Sequence, residues 1–298
     1  MAFIKKRFYI QNRQKLFGFL MRELNITQGT AQKLIDTGRV FVKGTAVKDK
    51  SLSLCGEIEV LLFEPSSKGL KPIFKTPEFA VFDKPSGLIV HPRNRRTPYS
   101  LLDEARAHLG FEANVTHRID METSGLLIVS ANKEAETEIK RAFEEKKIKK
   151  GYLALIKGRL KKELFIDEPI KKNRDFSTIR LKVLIDKQGK KAQTIIKPLE
   201  YFNNMTLVEA IPLTGRQHQI RIHLFHVKHP IVGDPIYGVD TDIAIKYLDK
   251  KLSEKERIFH TGYKRLMLHA NWIEFEYKNR YKIYSKQNFL EECKKAVY

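Results

Sequence analysis

Asp120 closes the run Thr116-His117-Arg118-Ile119-Asp120, just ahead of the apolar stretch from Gly125 to Ser130. A charged turn set against a core strand often carries site residues, because the strand fixes the backbone while the loop exposes its functional groups. A carboxylate there can serve as nucleophile or base, and a neighbouring arginine favours its ionised form. The same residues also make an ordinary loop, with Asp120 as turn former and Thr123-Ser124-Gly125 completing it. His117 beside Asp120 leaves a third option open, a hydrolase built on an Asp–His pair. Spacing alone does not choose among these.

His218, His223, His226 and His229 form a second group, since neutral imidazoles ligate zinc. Their spacing matches no standard ligand pattern and no cysteine lies near them, so no metal is expected. Asp103 and Glu104 follow Ser100 at the start of a helical stretch and read as first-turn acids favoured by the helix dipole.

The elements that must position these groups sit in a chain of 298 residues, long enough for a small module and a larger one. Hydrophobic residues make up 42% and aromatics 10%, the composition of an ordered globular protein. The 56 Lys and Arg against 35 Asp and Glu leave a formal charge of +21, which implies a polyanionic partner. Cys55 and Cys293 make neither a disulfide framework nor a zinc ribbon, in keeping with a reducing cytoplasm. The opening MAFIKKRFYIQNRQ lacks the apolar core of a secretion signal. No apolar stretch approaches the roughly 20 residues that cross a bilayer, so neither secretion nor membrane spanning is expected.

Leu16, Phe17, Phe19, Leu20 and Leu24 recur at helical spacing, and Thr27 precedes a second periodic run through Ala31, Leu34 and Ile35. Gly38 stops that run; Val40 and Val42 then alternate up to Gly44, Val47 returns, and Gly56 to Leu61 reads as a closing strand. Residues 14–63 are therefore expected to form a helix-helix-hairpin unit. The Pro, Ser and Gly of Glu64 to Gly69 mark a linker, placed at 64–76. From 77 to 298 the pattern is α+β: short strand-like runs (Phe79–Val81, Leu126–Val129, Tyr152–Ile156, Ile179–Leu184, Met205–Ala210) lie too close together for a doubly wound parallel sheet.

Residues 27–61 resemble the small RNA-binding module of the ribosomal protein S-four type, the alpha-L fold. In that family the second helix and hairpin present basic side chains to phosphates, and Lys33, Arg39, Lys43 and Lys48 occupy the matching stretch. Lysine and arginine gain affinity there by releasing counterions, without reading bases. The balance of 11 basic to 6 acidic residues over 1–65 is modest support.

The run HRID-ME-TSG-LL (117–127) resembles the characteristic stretch of RluA-type pseudouridine synthases, with Ile119 where leucine is usual. Three further stretches resemble that family in the same order. Phe82 to Pro92, which includes Lys84, is similar to its KPxGLxVHP loop, and Lys150 to Ala154 to its tyrosine strand. Leu213 to His223, which includes Arg216, is similar with His229 to Asp234 to its third motif. The resemblance implies a pseudouridine synthase fold: a mixed, largely antiparallel sheet in the catalytic domain.

It further implies that Asp120 is the essential carboxylate, Tyr152 the ring stacked on the target base, and Arg221 the cation paired with Asp120. Arg118 resembles the residue that fills the space left by a flipped nucleotide; His117, Lys84 and Arg216 fall with it on the RNA-facing side. A base stacked in a helix is out of reach, so it must be extruded and its lost stacking replaced by an aromatic face. The tyrosine hydroxyl is a second candidate, as acceptor of the uracil C5 proton, although a phenol of ordinary pKa is a poor base at neutral pH.

The implied reaction cleaves the N-glycosidic bond of uridine, turns the uracil and rejoins it through carbon, with no cofactor and no metal. The run Lys140 to Lys162, 10 basic residues against 2 acids, is a candidate RNA-facing rim. Because an appended RNA-binding module is more typical of members of the resembled family that act on large-subunit ribosomal RNA, the resemblance favours that substrate, with transfer RNA the alternative, and a monomer is the default. A non-catalytic ribosome-assembly factor is the rival class. The stretch Tyr237 to Tyr263 matches the family poorly and reads as an insertion without a role.

Overall fold

A computed structural model describes residues 3–94, 97–173 and 182–297. The chain divides into two compact units, residues 1–67 with 92–99, and residues 68–91 with 100–298.

The smaller unit has helices Leu16–Leu24 and Gln28–Asp36 and a four-stranded sheet of antiparallel pairs. The Thr27 side chain caps the second helix by accepting from the Thr30 amide. Leu16, Leu20, Ala31, Leu34 and Ile35 pack against Ile10, Val40, Ile58 and Val60. The structure differs from expectation at the start of this unit. Residues before 14 form most of a long strand, Phe3–Lys15, paired along Ser53–Phe63. Lys5, Lys6 and Arg7 near its start hide the alternation: all three are exposed, so both faces of this edge strand meet solvent there and charges can follow one another.

The larger unit is built on a ten-stranded mixed sheet. Its order is Leu164–Asp167, Gln193–Phe202, Met205–Pro212, Lys149–Lys157, Leu268–Tyr277, Ser124–Ser130, Phe79–Lys84 and Phe74–Lys75, with Asn279–Tyr284 and Asn114–Val115 as branches. Every pairing is antiparallel except that of Leu268–Tyr277 with Ser124–Ser130. The strand Phe74–Lys75 lies within the segment expected to be linker. Of the run Ile179–Leu184, residues up to 181 lie outside the described residues; the strand there is Val183–Ile185.

The parallel contact explains Gly125. A Cβ at that position would stand 2.2 Å from the Ala270 carbonyl oxygen, and φ is +103°, so only glycine lets the two strands meet. Helix Leu101–Leu109 begins with the capping box of Ser100 and Asp103. Helix Gln219–His226 lies almost wholly inside, with Ile220 and Leu224 in the main core beside Tyr152, Leu155 and Leu268. A charged residue on that helix must therefore find partners indoors.

Candidate active site

Arg221 is that residue. Its Nε donates to Asp234 Oδ2 and its Nη2 to Asp234 Oδ1, both at 2.8 Å, and Nη1 donates to Asp120 Oδ2 at 3.1 Å. Burial alone would lower its pKa, but Asp234 and Asp120 raise it, so the guanidinium stays charged. Asp234 is also buried, which alone would raise its pKa. The charge and hydrogen bonds of Arg221, with the amides of Tyr237 and Ile236 donating to Oδ1, bring it below the ordinary value instead.

The two aspartates are not equivalent. The Asp120 side chain is 28% exposed, whereas Arg221 and Asp234 are 4% and 1% exposed. The network is anchored at its buried end and presents one carboxylate at its open end, a geometry suited to a nucleophile or a base.

Tyr152 lies on strand Lys149–Lys157, opposite Ala210 on one side and Ala270 on the other. Burial, and then the charge of Asp120, push its phenol well above the usual range. A neutral phenol in such a place supplies an aromatic face and is a poor base.

His218 and Tyr237 join this cluster, and nothing in the sequence assigns either a place in the site. The His218 backbone sits in the left-handed region at φ +53°. Its Nδ1 lies 3.1 Å from the Tyr237 hydroxyl and its Nε2 3.8 Å from Asp120 Oδ2. The Val183 amide donates to the same hydroxyl, which leaves the phenol proton for His218 Nδ1 and puts the imidazole proton on Nε2, facing Asp120. Burial and the charge of Arg221 lower the His218 pKa to about 4, so the ring is neutral at neutral pH. Tyr237, expected to open an insertion, is instead a fully buried wall, its ring 5.2 Å from the Arg221 guanidinium.

Lys84 does not face RNA. It is fully buried, and its Nζ donates to the carbonyls of Pro85, Leu88 and Met121. Burial pushes its pKa down to about 7, against the charges of Asp120 and Glu122. The Gly87 amide also donates to the Met121 carbonyl, and Ser86 Oγ to that of Glu122, so the Lys84–Leu88 loop is a brace for the turn that carries Asp120. His117 points inward as well: its Nε2 accepts from the Ile128 amide, its ring packs on Phe143, and burial lowers its pKa to about 3. The fold turns both side chains toward backbone partners, which the identity of the residues does not reveal.

Arg118, two residues before Asp120, is exposed, and Arg216 is exposed with its Nε donating to the Lys191 carbonyl. In the smaller unit Lys33, Lys43 and Lys48 are exposed, while Arg39 is half-buried against the Phe3 ring. The other histidines of the tempting group serve separate contacts. His223 bonds Thr194 and the Glu168 carbonyl, His229 the Lys157 carbonyl, and His226 lies near the Glu168 carboxylate.

Comparison with known proteins agrees with this architecture. The family profile described as RNA pseudouridylate synthase matches residues 78–226. An RNA pseudouridine synthase of Helicobacter pylori, itself uncharacterised, is 36% identical, the match covering 96% of this chain and 94% of that protein. The ribosomal large subunit pseudouridine synthase D of Xanthomonas campestris is 33% identical over 81% of this chain and 74% of its own length. Among solved structures, human RNA pseudouridylate synthase domain containing 1 superposes with a TM-score of 0.61 at 26% identity, covering 78% of this chain and 90% of that one. This chain is an RNA isomerase and belongs to the RluA-type family of pseudouridine synthases.

Proposed function

We propose that the chain converts uridine to pseudouridine in large-subunit ribosomal RNA, with Asp120 as the reacting carboxylate. The observation that carries the chemical part is the open end of the Asp120–Arg221–Asp234 network, where one carboxylate is held by a buried cation and still meets solvent. Arg221 orients Asp120 through its hydrogen bond, Tyr152 stacks on the extruded uracil, and Arg118 enters the space the nucleotide leaves. In the reaction the N1–C1′ bond breaks and a C5–C1′ bond forms; C5 gives up its proton and N1 gains one. Asp120 serves this either by adding to C1′ or by removing a neighbouring sugar proton, and both routes need the same carboxylate.

Ribosomal RNA is favoured because relatives carry that substrate in their names, the Xanthomonas protein above and the ribosomal large subunit pseudouridine synthase C of Buchnera aphidicola, 34% identical over 73% of this chain. The exposed Lys33, Lys43 and Lys48 on the small unit suit an RNA-binding module that adds affinity and no chemistry. The test is to incubate the purified protein with unmodified large-subunit ribosomal RNA and, separately, with total transfer RNA, and to map pseudouridine at nucleotide resolution. Discrete sites in ribosomal RNA are expected. Modification confined to transfer RNA would overturn the substrate assignment.

A further inference from the structure

The stretch from Tyr237 to Tyr263, for which the sequence suggests no role, reaches the site from outside the family motifs. It contains helices Thr241–Leu248 and Glu254–Thr261, the second begun by a capping box of Ser253 and Glu256. Tyr247 Oη donates to Glu122 Oε1 at 2.7 Å. Arg257 Nη1 donates to the same oxygen at 3.1 Å, while its Nη2 donates to Glu122 Oε2 and, at 2.9 Å, to the Gly233 carbonyl. The Leu266 amide donates to Glu122 Oε2 as well.

These contacts join the two loops on which the carboxylates of Arg221 depend. Glu122 is two residues past Asp120, and Gly233 immediately precedes Asp234. The Gly233 loop is tied to the same helix a second time, because its amide donates to the Thr261 carbonyl. The Arg257 and Glu122 side chains are 12% and 13% exposed, so the ion pair is largely desolvated and held in a bidentate fork. Both Glu122 oxygens are engaged, which leaves this carboxylate no free part in proton transfer.

We propose that Arg257, aided by Tyr247, is a positioning residue that clamps the Asp120 loop to the Asp234 loop, making the geometry of the reacting carboxylate depend on the 241–261 helices. The proposal rests on the assignment of Asp120 as that carboxylate. A displacement of Asp120 by ~1 Å costs on the order of a hundredfold in rate, which is the scale such a clamp protects.

The test measures single-turnover pseudouridine formation at saturating RNA, RNA affinity, and fluorescence of the single tryptophan, Trp272, as a check on folding. Arg257→Ala is expected to slow the step by about 10- to 100-fold with RNA affinity nearly unchanged, and guanidinium ion on the order of 10 mM is expected to restore part of the rate by refilling the fork. A folded Arg257→Ala protein that turns over at the parental rate overturns the clamp. Should that variant not fold, Tyr247→Phe decides: a several-fold slower step at unchanged affinity supports the clamp, and an unchanged step overturns it. Asp120→Asn in the same assay separates the two assignments. An active Asp120→Asn protein overturns the role of Asp120 on which the clamp rests, whereas an inactive one beside a fully active Arg257→Ala overturns the clamp alone.

Discussion

Removing Asp234 and removing Asp120 should cost the fold very different amounts, although both carboxylates accept from one arginine. Asp234 is buried and accepts from Arg221 Nε and Nη2 and from the amides of Ile236 and Tyr237. Asp234→Ala strips the buried guanidinium of its fork and leaves those two amides without their acceptor. Losing one member of a buried ion pair costs about 3–5 kcal/mol, because the surviving charge stays desolvated. Asp120 receives a single Arg221 bond at the exposed end, where water can replace the carboxylate, so Asp120→Ala should cost no more than about 1 kcal/mol. Urea unfolding followed by Trp272, which lies on strand Leu268–Tyr277 of the larger unit, reads the difference. With a slope of about 2.5 kcal/mol per M, Asp234→Ala should lower the midpoint by about 1–2 M and Asp120→Ala by less than about 0.4 M. Equal midpoints for the two variants would refute the division of labour between an anchoring and a reacting aspartate.

Acid should destabilise the larger unit before its carboxylates titrate. His117 and His218 are held by burial at about 3 and about 4, below the ordinary histidine value, so between pH ~6.5 and ~5 the unfolded chain binds protons at both that the folded chain does not. Stability therefore falls as pH drops through that window, by up to about 1.4 kcal/mol per pH unit for each ring, and His218→Gln should flatten the profile of melting temperature against pH; an unchanged profile would refute the assignment. Tyr152→Phe keeps the stacking ring and should retain more activity than Tyr152→Leu, whereas equal losses would assign the role to the hydroxyl. Replacing Lys33, Lys43 and Lys48 with alanine should weaken RNA binding and lower the slope of log affinity against log salt by about 2–3, leaving the saturated single-turnover rate intact. A changed saturated rate would place these lysines in the chemistry and not in docking.

The α+β class and the turn at Asp120 were legible in the residues, whereas the meeting of Asp120 with Arg221 was implied by the family resemblance alone, because the Arg221 helix is buried on nearly every side and carries no amphipathic pattern. The partners that make the site work were less so. Asp234 lies 13 residues from Arg221 and Arg257 lies 135 from Glu122, separations at which no periodicity connects one residue to another. Lys84 and His117 misled for the opposite reason. Their residue types suit RNA contact, yet the register of Phe79–Lys84 against Ser124–Ser130 buries the first, and the Ile128 amide captures the second. The strand Phe3–Lys15 was hidden by three successive basic residues.

If Asp120 performs the chemistry and does not hold the fold, removing its charge alone should abolish turnover and leave stability intact. The direct measurement is pseudouridine formation on ribosomal RNA by Asp120→Asn, which preserves the shape of the side chain and removes its charge, alongside RNA affinity and the urea midpoint. The expected variant binds RNA and unfolds like the parent but forms no pseudouridine. Pseudouridine formed at a rate near that of the parent would rule out Asp120 as the reacting carboxylate.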